Sequence, residues 1–237
     1  MSRKQAINSL LQRAEVLAAY QDVVNSLDLR PVVDDVAGVA ITLPTGVVEF
    51  SEYTPPFAKY AAKDGSEAQV LLISQTGDEA TLGGLYEIMQ TLEIVPLNGP
   101  RERKKSSFTL VGENSRMVSY TQAALENGEI KGFTLIWPAG DEPRRARVIQ
   151  RLKDSFTPIE GVLDPTLGDP AAQAIDLVAG LEIRQPLRAG SGFFINDQGT
   201  VLTHASNVAG CGRISLNDRY TATLANPITA STSELAV

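Results

Sequence analysis

The residues able to do acid–base or covalent chemistry are few: one histidine, His204, and one cysteine, Cys211, in 237 residues. A single histidine excludes an HExxH helix or a three-histidine centre. A single cysteine excludes an intrachain disulfide and a cysteine-based zinc cluster. The expectation is therefore no metal and no cofactor. An imidazole titrating near pH 6.5 can serve as a general base close to neutrality, whereas a hydroxyl such as that of Ser206 cannot. His204 and Ser206 lie two residues apart, a spacing that on an extended strand puts both on one face. Ser191, within Gly190-Ser191-Gly192, has the look of a nucleophile but also of an ordinary strand or turn residue.

Charge and hydropathy narrow the classes further. With 21 Lys+Arg against 28 Asp+Glu the net charge is −7, which argues against generic nucleic-acid binding. No apolar run reaches the ~18 residues of a membrane helix, and the basic start of the chain is not followed by the apolar stretch of a signal peptide. No membrane span is expected. The basic run Arg101-Glu102-Arg103-Lys104-Lys105 reads as a solvated loop.

Elements must position these groups, and their pattern changes along the chain. Ile7, Leu10, Leu11, Ala14, Leu17 and Ala18 recur at helical spacing, predicting an amphipathic helix over residues 1–30 that Pro31 ends. Val39–Leu43 and Val47–Tyr53 flank Pro44-Thr45-Gly46 and predict a hairpin. Gln69–Gln75 reads as a buried strand, and residues 80–92 as a helix with Leu82, Leu85, Met89 and Leu92 on one side. Three strands follow, Ser107–Gly112, Arg116–Ala124 and Glu129–Trp137, the last two joined by Asn127-Gly128, whose residues tolerate the positive φ of a type I′ turn. A helix from about Asp141, its N-cap, to Phe156 completes the unit, with Pro143 in its first turn and Arg144, Arg145, Arg147, Arg151 and Lys153 outside. The order β-β-β-α-β-β-β-α over 36–160 predicts an α+β fold, an antiparallel sheet with flanking helices. Residues 161–189 read as a linker with a short helix, and 190–237 as a separate all-β segment.

Two resemblances sharpen these expectations. Gly38-Val39-Ala40-Ile41-Thr42-Leu43-Pro44, Gly132-Phe133-Thr134-Leu135-Ile136-Trp137-Pro138 and the helix end Asp154-Ser155-Phe156 resemble the PsbP-like fold, which implies binding or adaptor roles without shared catalytic residues. The run Ser191-Gly192-Phe193-Phe194 through Val201-Leu202-Thr203 resembles the opening of a trypsin-like, chymotrypsin-fold serine peptidase domain of the HtrA type. That resemblance places Ser206 where the family carries its catalytic histidine and Glu234 where it carries the orienting aspartate, while the nucleophile would lie beyond Val237. His204 could stand in as base only from a slipped register, some ~6–7 Å away at 3.3 Å per residue. Cys211 would either pair with a cysteine beyond Val237, implying an oxidising compartment, or serve as a small buried hydrophobe.

The expected function is that of a pseudopeptidase fragment of a longer protein, with an α+β scaffold binding a protein or peptide in the bacterial envelope. Its compartment would be periplasmic or secreted if a signal peptide precedes this stretch. Two rivals stand beside it. One is an active serine endopeptidase completed by His204 and residues beyond the chain. The other is binding of a small ligand or lipid by the α+β domain, to which Trp137 and the 101–105 segment point.

Overall fold

The computed structural model describes residues 25–167, 186–217, 220–225 and the backbone of 232–236, with Arg13, Val16 and Gln21 as isolated helical positions. Most of the expected N-terminal helix and all of the expected short helix after 170 lie outside the described residues. The chain divides into two units, 1–183 and 184–237.

In the first unit the chain runs through β1 (Leu29–Asp34), β2 (Val39–Pro44), β3 (Val48–Thr54), β4 (Phe57–Ala62), β5 (Gln69–Thr76), α1 (Glu79–Met89), β6 (Arg101–Arg103), β7 (Ser107–Glu113), β8 (Met117–Glu126), β9 (Glu129–Pro138), α2 (Glu142–Ser155) and β10 (Thr157–Pro158). Seven strands form one antiparallel sheet in the order β3-β4-β5-β9-β8-β7-β6, and β1-β2-β10 form a second. The α+β architecture expected from the sequence is present.

The continuous apolar run Val70-Leu71-Leu72-Ile73 is explained by burial on both faces. Val70 and Leu72 enter a core with Leu43, Trp137, Val148 and Leu152, while Leu71 and Ile73 enter another with Leu82, Leu85, Met89 and Leu110. Helix α1 therefore covers one face of the sheet, and α2 with the small sheet covers the other. Each follows from its stripe of apolar residues. The Asp78 carboxylate caps α1 by accepting the Thr81 N–H at 2.9 Å, and Asn127 and Gly128, with φ of 53° and 81°, make the expected tight turn.

Three expectations are corrected. The strands on either side of Pro44-Thr45-Gly46 exist but do not pair as a hairpin, because β1 and β10 occupy both edges of β2 and β3 joins β4. The turn instead carries the chain from the small sheet to the large one. Pro31 does not end a helix; it lies within β1 opposite Thr42, and the helical assignment stops at Asn25. The order of elements thus gains β1, β4, β6 and β10. Finally, the start of the supposed linker is packed: Leu163 is 2% exposed and belongs to the core that contains Trp137.

Gly46 makes the crossing between sheets possible. Its N–H donates to Leu27 O at 2.9 Å, and a Cβ there would lie 2.3 Å from Ser26 O. Gly46→Ala should cost about 1–3 kcal/mol of unfolding free energy by overpacking against backbone. Gly84→Ala, on the exposed side of α1 with nothing within 4 Å, should instead gain up to about 1 kcal/mol. Urea unfolding of the two variants beside the parent checks both signs.

The second unit contains β11 (Gly192–Phe194), β12 (Val201–His204), the single turn α3 (Ala205–Val208), β13 (Ile214–Leu216), β14 (Tyr220–Leu224) and β15 (Thr232–Ala236), in sheet order β11-β12-β15-β14-β13. Asn196 Oδ1 accepts the N–H groups of Gln198 and Thr200 and so closes the expected 196–199 turn. The described core of this unit is small: Val201, Val208 and Ala222, with Ile214 and Leu216 against them. Phe193 is 73% exposed on the edge strand.

Candidate functional site

His204 ends β12, and Ser206 lies in the helical turn that follows, so the two are not on one strand face. They nevertheless meet. Ser206 Oγ is 2.6 Å from His204 Nδ1, and the Ser206 backbone N–H donates to the same nitrogen at 3.2 Å. A backbone N–H can only donate, so Nδ1 acts as acceptor here, its proton sits on Nε2, and the Ser206 hydroxyl donates to Nδ1. The imidazole thereby caps α3, and both side chains are exposed. Such local side-chain caps are a common use of polar residues at a helix start.

The remaining candidates from the sequence lie apart from this pair. Glu234 pairs across the sheet with Leu202, two positions along β15 from Thr232, which faces His204. Ser191 is exposed just before β11, and its backbone carbonyl accepts the Thr203 hydroxyl at 2.8 Å, which ties the hairpin. The half-buried Cys211 thiol is free and donates weakly to Asn207 O. Among the described residues no group of His, Cys, Asp and Glu could hold a metal ion, and no helix is long and apolar enough to cross a membrane.

In the first unit Arg101–Arg103 of the basic 101–105 segment form strand β6 rather than a loop, while Lys104 and Lys105 lie exposed outside it. Arg101 donates to the carbonyls of Pro96, Leu97 and Gly99 and to Gln90 Oε1. Arg103 sits over the Tyr86 ring and near Glu87, Lys104 pairs with Glu102, and Lys105 with Glu79. Apart from Arg101 these cations stay exposed, and their surface pairs contribute little.

Trp137 is a different matter. It is buried at the end of β9 and helps to line a cavity of about 310 Å³, together with Val47, Lys63, Asp64, Asp141 and Arg144. Asp141 does occupy the start of α2, but its carboxylate caps no helical N–H. It accepts instead from Trp137 Nε1 at 3.0 Å and from Arg144 Nη1 at 3.3 Å. The Arg144 guanidinium lies 5.7 Å above the Trp137 ring, and its Nε is buried with no hydrogen-bond partner. Arg144 is therefore not one of a uniform solvated ring of arginines. The spacing Trp137, Asp141, Arg144 carries this cluster, but only the turn from β9 into α2 shows that the three converge.

No family model matches the chain, and no curated protein matches it. Among solved structures it is similar to the solution structure of cyanobacterial PsbP (CyanoP) from Synechocystis sp. PCC 6803, at 12% identity and a TM-score of 0.38, over 55% of this chain and 92% of that one.

Proposed function

We propose that this chain is a non-catalytic binding protein: a PsbP-like α+β scaffold that takes a protein or peptide, followed by a degenerate opening of a trypsin-like peptidase domain, in a bacterial envelope setting. The observation that supports it is the direction of the hydrogen bonds at His204. In a serine-peptidase triad the imidazole must donate Nδ1–H to a carboxylate, which fixes its tautomer and stabilises the imidazolium. At His204 that nitrogen is an acceptor, held by the N–H and hydroxyl of Ser206. The nitrogen that would carry the orienting carboxylate is thus taken by a helix cap.

A fluorophosphonate probe should leave the chain unlabelled, casein should not be cleaved, and His204→Ala should behave as the parent does in both assays. Labelling of the parent that His204→Ala abolishes would overturn the reading and make His204 a working base. A second reading, binding of a small ligand by the α+β unit, is favoured by the cavity at Trp137 and Arg144.

A further inference from the structure

The large sheet ends at β3, which pairs with β4 on one side and, among the described residues, with no strand on the other. An open edge of this kind presents backbone N–H and C=O groups that can pair with an added strand. Phe50 stands on this edge and is 46% exposed. Its ring lies 4.6 Å from that of Tyr53 and 5.6 Å from that of Tyr60, and both tyrosine hydroxyls donate to the buried Asp34. The ring is thus held in place at the surface, so covering it costs little side-chain entropy. Val33 and Val36, also exposed, flank Asp34 in sequence.

The register sorts the side chains of β3 onto two faces. Phe50 and Tyr53 stand opposite Tyr60 and Ala58, on the face that the small sheet covers. Glu49 and Glu52 stand opposite Ala61 and Lys59, on the other face. Three positions apart, the glutamates would fall on opposite faces of a regular strand; the irregularity between Phe50 and Glu52 brings them to the same one. Both are exposed. Lys59 reaches Glu52 at 3.4 Å, whereas Glu49 faces only an alanine across the pair. Two copies of β3 laid edge to edge would bring carboxylates against carboxylates, in a chain whose net charge is already −7. The edge is therefore poorly suited to a second copy and well suited to a strand of opposite charge.

We infer that the β3 edge is a docking site for an extended segment of a protein partner whose side chains alternate apolar and basic, added to the sheet as a further strand with its apolar residues against Phe50 and Tyr53 and its cations against Glu49 and Glu52. This deepens the binding reading above and rests on it.

The probe is a seven-residue peptide, the length of β3, of alternating valine and lysine, with fluorescein at its N-terminus and an amide at its C-terminus. Its anisotropy is followed as the full chain is added at constant ionic strength, and saturable binding is expected. Two further forms carry N-methyl groups on one or the other alternate set of amides. Successive N–H groups of a strand point to opposite edges, so methylating the set that faces β3 should abolish binding and methylating the outward set should spare it. A peptide with glutamate in place of lysine should not bind. Phe50→Thr should weaken the valine-lysine peptide about tenfold through lost apolar cover. Glu49→Lys, a change at an exposed position, should weaken it severalfold, which keeps the test decisive should Phe50→Thr fold poorly.

Equal binding of the two methylated forms, equal binding of the glutamate peptide, no saturable binding, or unchanged affinity in both variants would overturn the site. So would a dimer in sedimentation that Phe50→Thr dissolves, which gives the edge to a second copy. The fluorophosphonate result at His204 bears on the non-catalytic reading alone and these results on the edge alone, so the two can fail separately.

Discussion

Lys131→Met is expected to lower the unfolding free energy by about 3–5 kcal/mol while leaving the α+β fold in place. Lys131 sits in β9 and is only 4% exposed. Its ammonium donates to Ala37 O at 2.8 Å, to Ser74 Oγ at 3.1 Å, to Gly38 O at 3.3 Å and to Gly161 O. Burial pushes its pKa down, partly offset by the Glu129 and Asp34 carboxylates. Methionine keeps the length and apolar stem of lysine but removes every donor, so the carbonyls of Ala37, Gly38 and Gly161 and the Ser74 hydroxyl lose their shared ammonium together.

The close approach also explains Gly38. At φ +62° a Cβ would fall 2.0 Å from Gly161 O and 2.4 Å from Lys131 Nζ. Urea unfolding measures the loss, and amide exchange at Leu163, whose N–H donates to Ser74 Oγ, should accelerate in the variant before the rest of the core does. A loss under about 1 kcal/mol would show that the carbonyls find other donors.

Asp34→Ala should have an effect of similar size, about 3–4 kcal/mol, by a different route. The buried Asp34 carboxylate accepts the hydroxyls of Tyr53 and Tyr60, at 3.1 and 2.9 Å, and the Ala37 N–H at 2.9 Å. Three donors would be stranded at once. Burial first, and then the Asp34 charge and hydrogen bond, push the Tyr53 phenol up to about 12 and raise that of Tyr60 as well.

The unfolded phenols titrate near 10, so above that pH the unfolded chain gives up protons that the folded chain retains. The stabilisation is whole below pH 10 and is lost between 10 and about 12. A Tm measured against pH should fall across that window, and the fall should shrink in Tyr53→Phe. Asp34 and Lys131 hold the same 34–38 turn, one through the Ala37 N–H and the other through the Ala37 and Gly38 carbonyls, so their losses should not add in the double variant.

Both anchors escaped the sequence reading for the same reason. Lys131 shares a strand face with the buried Phe133 and Leu135, and nothing local in the sequence shows that the carbonyls around Gly38 and Gly161 supply the acceptors of an interior cation. The elements read best were those whose signals are local: β8 and β9 with Asn127-Gly128 between them, α1 from its stripe of Leu82, Leu85 and Met89, and the apolar run of β5. The pairing of β2 was misread because a turn's composition reports that the chain reverses, not whether the strands on either side are partners. Phe57–Ala62 was missed as a strand because its alanines give no clear alternation, and β1 because Pro31 suggests an ending rather than an edge strand. At the candidate sites the His204 and Ser206 pair was visible as a spacing, but the direction of its hydrogen bonds was not. Arg144 differed from its neighbouring arginines only once Trp137 and Asp141 were placed beside it.

The strand order carries a consequence for how the molecule assembles in time. Strands β7, β8 and β9 are consecutive neighbours joined by short turns, so their contacts close at little entropic cost. The pairs β5–β9, Gln69 with Ile136, and β2–β10, Val39 with Pro158, close far longer stretches of chain. The three-stranded meander around Asn127-Gly128 is therefore the natural nucleus, and the small sheet can be completed only after nearly the whole unit has been laid down. Destabilising the meander should slow refolding, whereas weakening the grip of Lys131 on the 34–38 turn should chiefly hasten unfolding.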